Sequence, residues 1–240
     1  MSGARRALAA LAVLLAGMTG AASTEPGAFI LPAGPDLAAA GWTPVPFSGR
    51  APVVFAPAGD DAIALAADGA ASMLARPVEV DPSATPCLSW RWIVDAGGVP
   101  PTDLGRRGGD DRNLIVAVGF AHEPARRGLG ERLRHEAARL RAGRDIPGRV
   151  LFYVWGGAHP AGTWLESPWF EGVAMIRVVE PSPGPVGAWR EARADIAADY
   201  RARFGEEPPR VVEVAIGADS DDTASRAAGR IAGLAFRRAC

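Results

Sequence analysis

Lysine is absent from these 240 residues: all 26 basic side chains are arginine, set against 27 Asp and Glu. So even a balance excludes the basic stripe of a general nucleic-acid binder. Histidine is scarce, at His122, His135 and His159 only, and no HExxH, CxxC, GxSxG or P-loop pattern occurs. Zinc-helix, dithiol, nucleophile-elbow and phosphate-loop chemistries are therefore without a sequence basis. Cysteine occurs twice, at Cys87 and Cys240. Either the two pair, tying the last residue to a core strand, or Cys87 is a buried small hydrophobe and Cys240 a terminal thiol; spacing leaves both open. No apolar run approaches the roughly 20 residues that a membrane helix needs.

The longest such run, Ala7 to Ala16, follows Arg5 and Arg6 and precedes the small residues Gly20-Ala21-Ala22. This is the layout of a cleaved secretory signal over residues 1 to 22. Met18 stands where a lipoprotein signal would carry its cysteine, so a periplasmic or secreted protein without a lipid anchor is expected, with no transmembrane segment after cleavage. The mature chain, residues 23 to 240, keeps 24 arginines against 27 acids, a net charge of −3, and has the length of one substantial β-domain.

Its 21 Pro and 29 Gly punctuate short runs of Val, Ile, Leu, Phe and Trp, the pattern of many short strands joined by turns. Ten strands are predicted: 42–47, 53–55, 62–65, 72–80, 87–94, 114–120, 150–155, 173–179, 211–216 and 230–237. They suit a mainly β, two-sheet sandwich. In the clearest, Leu88, Trp90, Trp92 and Val94 share one face, and the two Trp are expected to anchor the core. Leu129, Leu133, Ala137 and Leu140 recur at helical spacing among Arg and Glu, predicting an amphipathic helical insertion near 129–142. Trp189, Ile196, Tyr200 and Phe204 predict a second helix, stopped by Gly205, that packs on the sandwich. Glu25 to Leu37 reads as an extended arm or first strand.

Candidate chemistry gathers in two acidic turns. Asp219, Asp221 and Asp222 leave a predicted strand within four residues, an oxygen density that suits a hard cation; Ca2+ held by Asp219 and Asp221 is one expectation. A turn in which Thr223 caps the succeeding segment is the other. Asp110 and Asp111 precede the strand at Leu114, and loops of a sandwich cluster at its ends, so this turn is expected beside the first. It completes a cation site or polar groove there, or else serves as an Arg112–carboxylate pair pinning the strand entry. Trp155, Trp164, Trp169 and Trp189 lie near predicted strand ends or loops. Rings beside carboxylates suit sugar recognition, so a saccharide groove lined by Asp110, Asp111, Asp219, Asp221, Asp222 and Trp155 is expected, though core packing is the commoner fate of Trp. Arg126 to Arg149 hold five more positive than negative charges, either a solvated face or a contact for an anionic envelope component. Two other functions stay open: a hydrolase of envelope polysaccharide using Asp110 with Asp221, and a structural envelope protein in which every acidic loop is a turn.

In order along residues 40 to 237 lie Ala71-Ser72-Met73-Leu74, Leu88-Ser89-Trp90-Arg91-Trp92, Gly109-Asp110-Asp111, Val118-Gly119-Phe120, Tyr153-Val154-Trp155-Gly156, Trp189 with Arg193 and Asp195, Asp199-Tyr200 with Phe204-Gly205, and Asp219-Ser220-Asp221-Asp222-Thr223. That succession resembles the bacterial exported family known as domain of unknown function 3047. The resemblance implies a jelly-roll sandwich similar to galactose-binding-like carbohydrate modules, with one or two packed helices. It implies no catalytic residues. The family often has Asn where this chain has Asp222.

Overall fold

Alternation of side chains along each strand sends one row between two sheets and the other outward, and in this chain both rows are apolar over much of one sheet. The computed structural model describes residues 28–240, so the expected signal peptide lies outside the described residues. The strands are β1 (Phe29–Ile30), β2 (Thr43–Pro46), β3 (Val54–Pro57), β4 (Ala62–Asp68), β5 (Ala71–Val80), β6 (Cys87–Gly97), β7 (Arg112–Phe120), β8 (Arg149–Trp155), β9 (Trp164–Glu166), β10 (Ala174–Glu180), β11 (Arg190–Asp195), β12 (Val211–Asp219) and β13 (Arg226–Arg237), with helices α1 (Leu129–Ala142) and α2 (Ile196–Phe204). One sheet runs β11-β6-β13-β4-β3, with β1 also on β13; the other runs β2-β5-β12-β7-β8-β10-β9. Within the second sheet only β8 and β10 pair in parallel. The mainly β, two-sheet sandwich expected from the strand count, and jelly-roll-like as the resemblance implies, is what forms, and each of the ten predicted strands lies within one to a few residues of an observed one.

Leu88, Trp90, Trp92 and Val94 of β6 meet Val116 and Val118 of β7 and Tyr153 of β8 in the core between the sheets. Trp92 packs edge-on against Trp90 at 5.4 Å and tilted against Trp155 at 5.7 Å. The alternate row of the seven-stranded sheet faces the other way: Ile115 and Ala117 of β7, Val154 of β8 and Ala215 of β12 form a second apolar cluster with Met73 and Leu104 on its outer face. Loops and the end of α1 cover this face only in part, and an open cleft results. Gly119 makes part of that cover feasible, because a Cβ there would clash with the Pro147 ring of the α1–β8 connection.

Two expectations are corrected and one open alternative is decided. The helix read from Trp189 begins at Ile196, and Arg190–Asp195 is instead an edge strand whose alternate residues Ala192 and Ala194 are buried as it pairs with β6. The local signal was present: the Asp195 carboxylate accepts from the Ala198 N–H at 2.8 Å, the mark of a helix start. The apolar stripe of α1 is not its packed face. Leu129, Leu133 and Leu140 are 73, 63 and 69% exposed, and the residues that the helix buries are His135 and Ala138. His135 stacks on His122 at 3.7 Å and lies 3.0 Å from the Pro147 carbonyl, contacts that a period of 3.6 cannot foretell. Of the two readings left open for cysteine, the bridge is the one observed: Cys87 and Cys240 are joined, across 153 positions of sequence.

Candidate functional site: an acidic corner at the end of an open cleft

The cleft, about 330 Å3, runs over the outer face of the seven-stranded sheet. Small side chains make its floor, Ala71 of β5, Ala117 of β7, Ala174 of β10 and Ala215 of β12, while Phe47 after β2, Phe152 of β8 and Trp169 with Phe170 before β10 supply aromatic walls. At one end stand Arg141, Arg144 and Pro147 from α1 and its following loop. Arg144 is held there by a two-pronged pair with Glu213 at 2.8 and 3.0 Å. The other end is closed by Asp110, Asp219, Asp221 and Asp222 with Arg50.

Two loops more than a hundred residues apart make that acidic corner. Register sets the meeting: Asp219, last residue of β12, pairs with Arg112, first of β7. Asp111 is fully buried and accepts from the backbone N–H groups of Asp222 (3.2 Å) and Thr223 (2.8 Å) and from the Thr223 hydroxyl (2.5 Å). It therefore stitches one loop to the other and does not line the cleft, where the sequence had placed it. Asp110 accepts from the Arg112 guanidinium at 2.9 Å and from the Trp169 indole N–H at 3.0 Å. Arg112 also lies 3.6 Å from Asp219, and Arg50 pairs with Asp221 and sits 3.7 Å from Asp222. Of the alternatives expected for the turn at Asp110, the Arg112–carboxylate pair is observed, and the same carboxylate stands at the acidic end of the cleft.

Burial holds the Asp219 carboxyl well above the ordinary carboxylate range; Arg112 opposes this, whereas a hydrogen bond with Asp221 and the charges of Asp110 and Asp111 reinforce it. Burial, then Asp221, Asp110 and Asp111, push Asp222 up to about 6. A carboxyl that keeps its proton offers a polar ligand a hydrogen-bond donor as well as acceptor oxygens. The shift also fixes a pH dependence. From about pH 4 upwards the unfolded chain releases the Asp219 proton while the folded chain keeps it, so stability falls as pH rises until the folded carboxyl ionises too. In EDTA, Asp219→Asn is therefore expected to equal wild type near pH 4 and to gain on it by up to about 1.4 kcal/mol per pH unit above that. Urea unfolding from pH 4 to 8 measures the difference; parallel curves would contradict the assignment.

Of the four tryptophans near predicted strand ends or loops, Trp169 alone lines the cleft. Trp155, expected to line the ligand groove, is 1% exposed and belongs to the inner row of β8 with Leu151 and Tyr153. Trp164 lies over Tyr153 at 6.3 Å, and Trp189 stands on the opposite sheet between Arg91 and Arg230, with guanidiniums 5.0 and 5.2 Å from its ring. His159 pairs with Asp103 at 3.0 Å, and Arg193 donates to the Cys240 carbonyl. Arg50, Phe47, Phe152, Phe170 and Glu213 were missed. Parity along β8 and β12 could have placed Phe152 and Glu213 outside the core, but nothing local marks Arg50.

A β-sandwich with an aromatic-walled cleft on one outer face and an acidic corner at its end is the class of protein that fold and site define. The chain belongs to the family described as "Protein of unknown function (DUF3047)", whose model matches residues 40–235. No curated protein matches the sequence at a significant level. In shape it is similar to the xyloglucanase domain of NopAA, a type three effector from Sinorhizobium fredii in complex with cellobiose, at 9% identity and TM-score 0.43 over 80% of this chain and 91% of that one. It is also similar to Trichoderma harzianum endoglucanase 3 from family GH12, at 10% identity and TM-score 0.40 over 89% of this chain and 98% of that one. Likeness at that level does not bear on what this chain binds.

Proposed function

We propose that this is an exported binding protein whose cleft takes a saccharide. The observation that carries the reading is the placement of Trp169 between the two kinds of surface a sugar needs: its ring lines the apolar cleft and its indole N–H is fixed by Asp110. Arg107 covers part of that ring from 4.8 Å, which pre-sets its orientation. Pyranose C–H faces would lie along Trp169, Phe170 and Phe152, with hydroxyls meeting Asp110, Asp219, Asp221 and Asp222. A disulfide between Cys87 and Cys240 suits an oxidising compartment and so supports export. No described helix is long and apolar enough to cross a membrane.

Calorimetric titration with neutral and acidic oligosaccharides tests the reading. Trp169→Ala is expected to weaken binding roughly 10- to 100-fold, the loss of about 1.5–3 kcal/mol of ring burial, whereas Trp189→Ala on the far sheet leaves it unchanged. Absence of binding to any glycan would sink the proposal, and release of reducing ends would turn it into the hydrolase reading.

A second reading is favoured by α1. Its exposed leucines are flanked by exposed Arg132, Arg134 and Arg141, the composition of a helix that lies on an anionic bilayer. Leu133→Glu is expected to change stability by less than about 0.5 kcal/mol and to lower sedimentation with phosphatidylglycerol vesicles several-fold. Equal sedimentation of variant and wild type would dismiss a membrane contact.

A further inference from the structure

Donors around the acidic corner do not exhaust its oxygens. One oxygen each from Asp111, Asp219 and Asp221 lie within 4.8 Å of one another. Three oxygens spread to that limit stand about 2.8 Å from a common centre, so side-chain shifts of a few tenths of an ångström bring all three to the 2.3–2.6 Å at which calcium is ligated. Asp219 is 7% exposed and its Oδ1 has no hydrogen-bond donor; Oδ1 of Asp110, in a residue 3% exposed, has none either. A buried acceptor left without a donor is costly and calls for a partner. Asp111 remains a competent ligand, because a carboxylate oxygen that accepts one hydrogen bond keeps a second lone pair.

Charge points the same way. Five carboxylates, Asp110, Asp111, Asp219, Asp221 and Asp222, meet two guanidiniums, and these are not equivalent. Arg112 is 8% exposed and locked between Asp110 and Asp219, whereas Arg50, on Asp221, has a side chain 38% exposed. Arg50 can swing into solvent when a stronger cation takes its place.

We propose that Asp111, Asp219 and Asp221 form a site for a hard divalent cation of the calcium type, at the acidic end of the cleft. Three carboxylates leave several positions of a six- to eight-fold shell to water or to ligand hydroxyls. The ion is thus placed where it can take part in saccharide binding, a role that rests on the reading above, although the site itself does not.

The test is calorimetry and thermal unfolding of the EDTA-stripped protein with CaCl2. One ion per molecule is expected, with a midpoint rise of roughly 5 to 10 °C at a hundredfold excess over Kd. Asp219→Asn, which keeps the shape of the side chain, is expected to fold, to bind calcium at least tenfold more weakly and to show no calcium-dependent rise; Asp221→Asn gives the same result should the first variant not fold. Trp169→Ala retains calcium binding while its saccharide binding weakens, so the two readings fail separately. No heat and no shift at about 10 mM calcium, well above the weakest extracellular calcium sites, would overturn the proposal, as would calcium binding left intact in both Asn variants.

Discussion

Replacing Cys87 and Cys240 together by alanine is expected to cost about 3–5 kcal/mol of stability and to lower the unfolding midpoint by roughly 6 to 20 °C. The bridge closes a loop of 153 positions, most of the described chain. Loop-closure entropy rises with the logarithm of length, so this cross-link restricts the unfolded ensemble near the upper end of what one disulfide achieves. The folded side has little to lose. Cys87 begins β6 and Arg237 of β13 is already its sheet partner, so the bridge reinforces a pairing that backbone hydrogen bonds make anyway. Cys87 is fully buried, and alanine there removes only a small side chain. Circular dichroism melts of wild type, double variant and reduced wild type decide the matter. Three equal midpoints would mean that the unfolded state is compact enough to make the bridge redundant.

Asp111→Ala carries the second large effect, a loss of about 3–5 kcal/mol. The carboxylate serves three donors, two of them backbone N–H groups of a loop more than a hundred residues away. Removing it strands the partly buried N–H groups of Asp222 and Thr223 and the Thr223 hydroxyl, which all donate to it. Asp222→Ala is expected to be near neutral or mildly stabilising, because burial and the charges of its acidic neighbours already push its carboxyl towards the neutral form. The contrast separates a structural stitch from a cleft-lining acid. Urea unfolding gives both values, and equal losses in the two variants would mean that the corner acts as one charge cluster without a dedicated anchor.

The parts of this protein that were legible in the sequence are those fixed by short-range geometry. Alternation in Cys87 to Val94 assigned the inner face of β6 correctly because side-chain parity is a property of the strand itself. Ten strands, the bounds of α1 and the end of α2 at Gly205 follow from the same local chemistry. Beyond that reach, parity and period say which residues share a face and never what covers it. Leu129, Leu133 and Leu140 do share a face of α1, yet the residues that became buried, His135 and Ala138, lie on the opposite one. Trp155 and Trp169 are both rings near strand ends; inner-row position buried the first, and only the folding of the loop before β10 over the outer face put the second in the cleft. The Cys87–Cys240 bridge, the Asp111–Thr223 stitch and the placing of Arg50 over Asp221 join positions far apart in sequence. They depend on strand register across two sheets, a quantity that arises only when the whole chain packs.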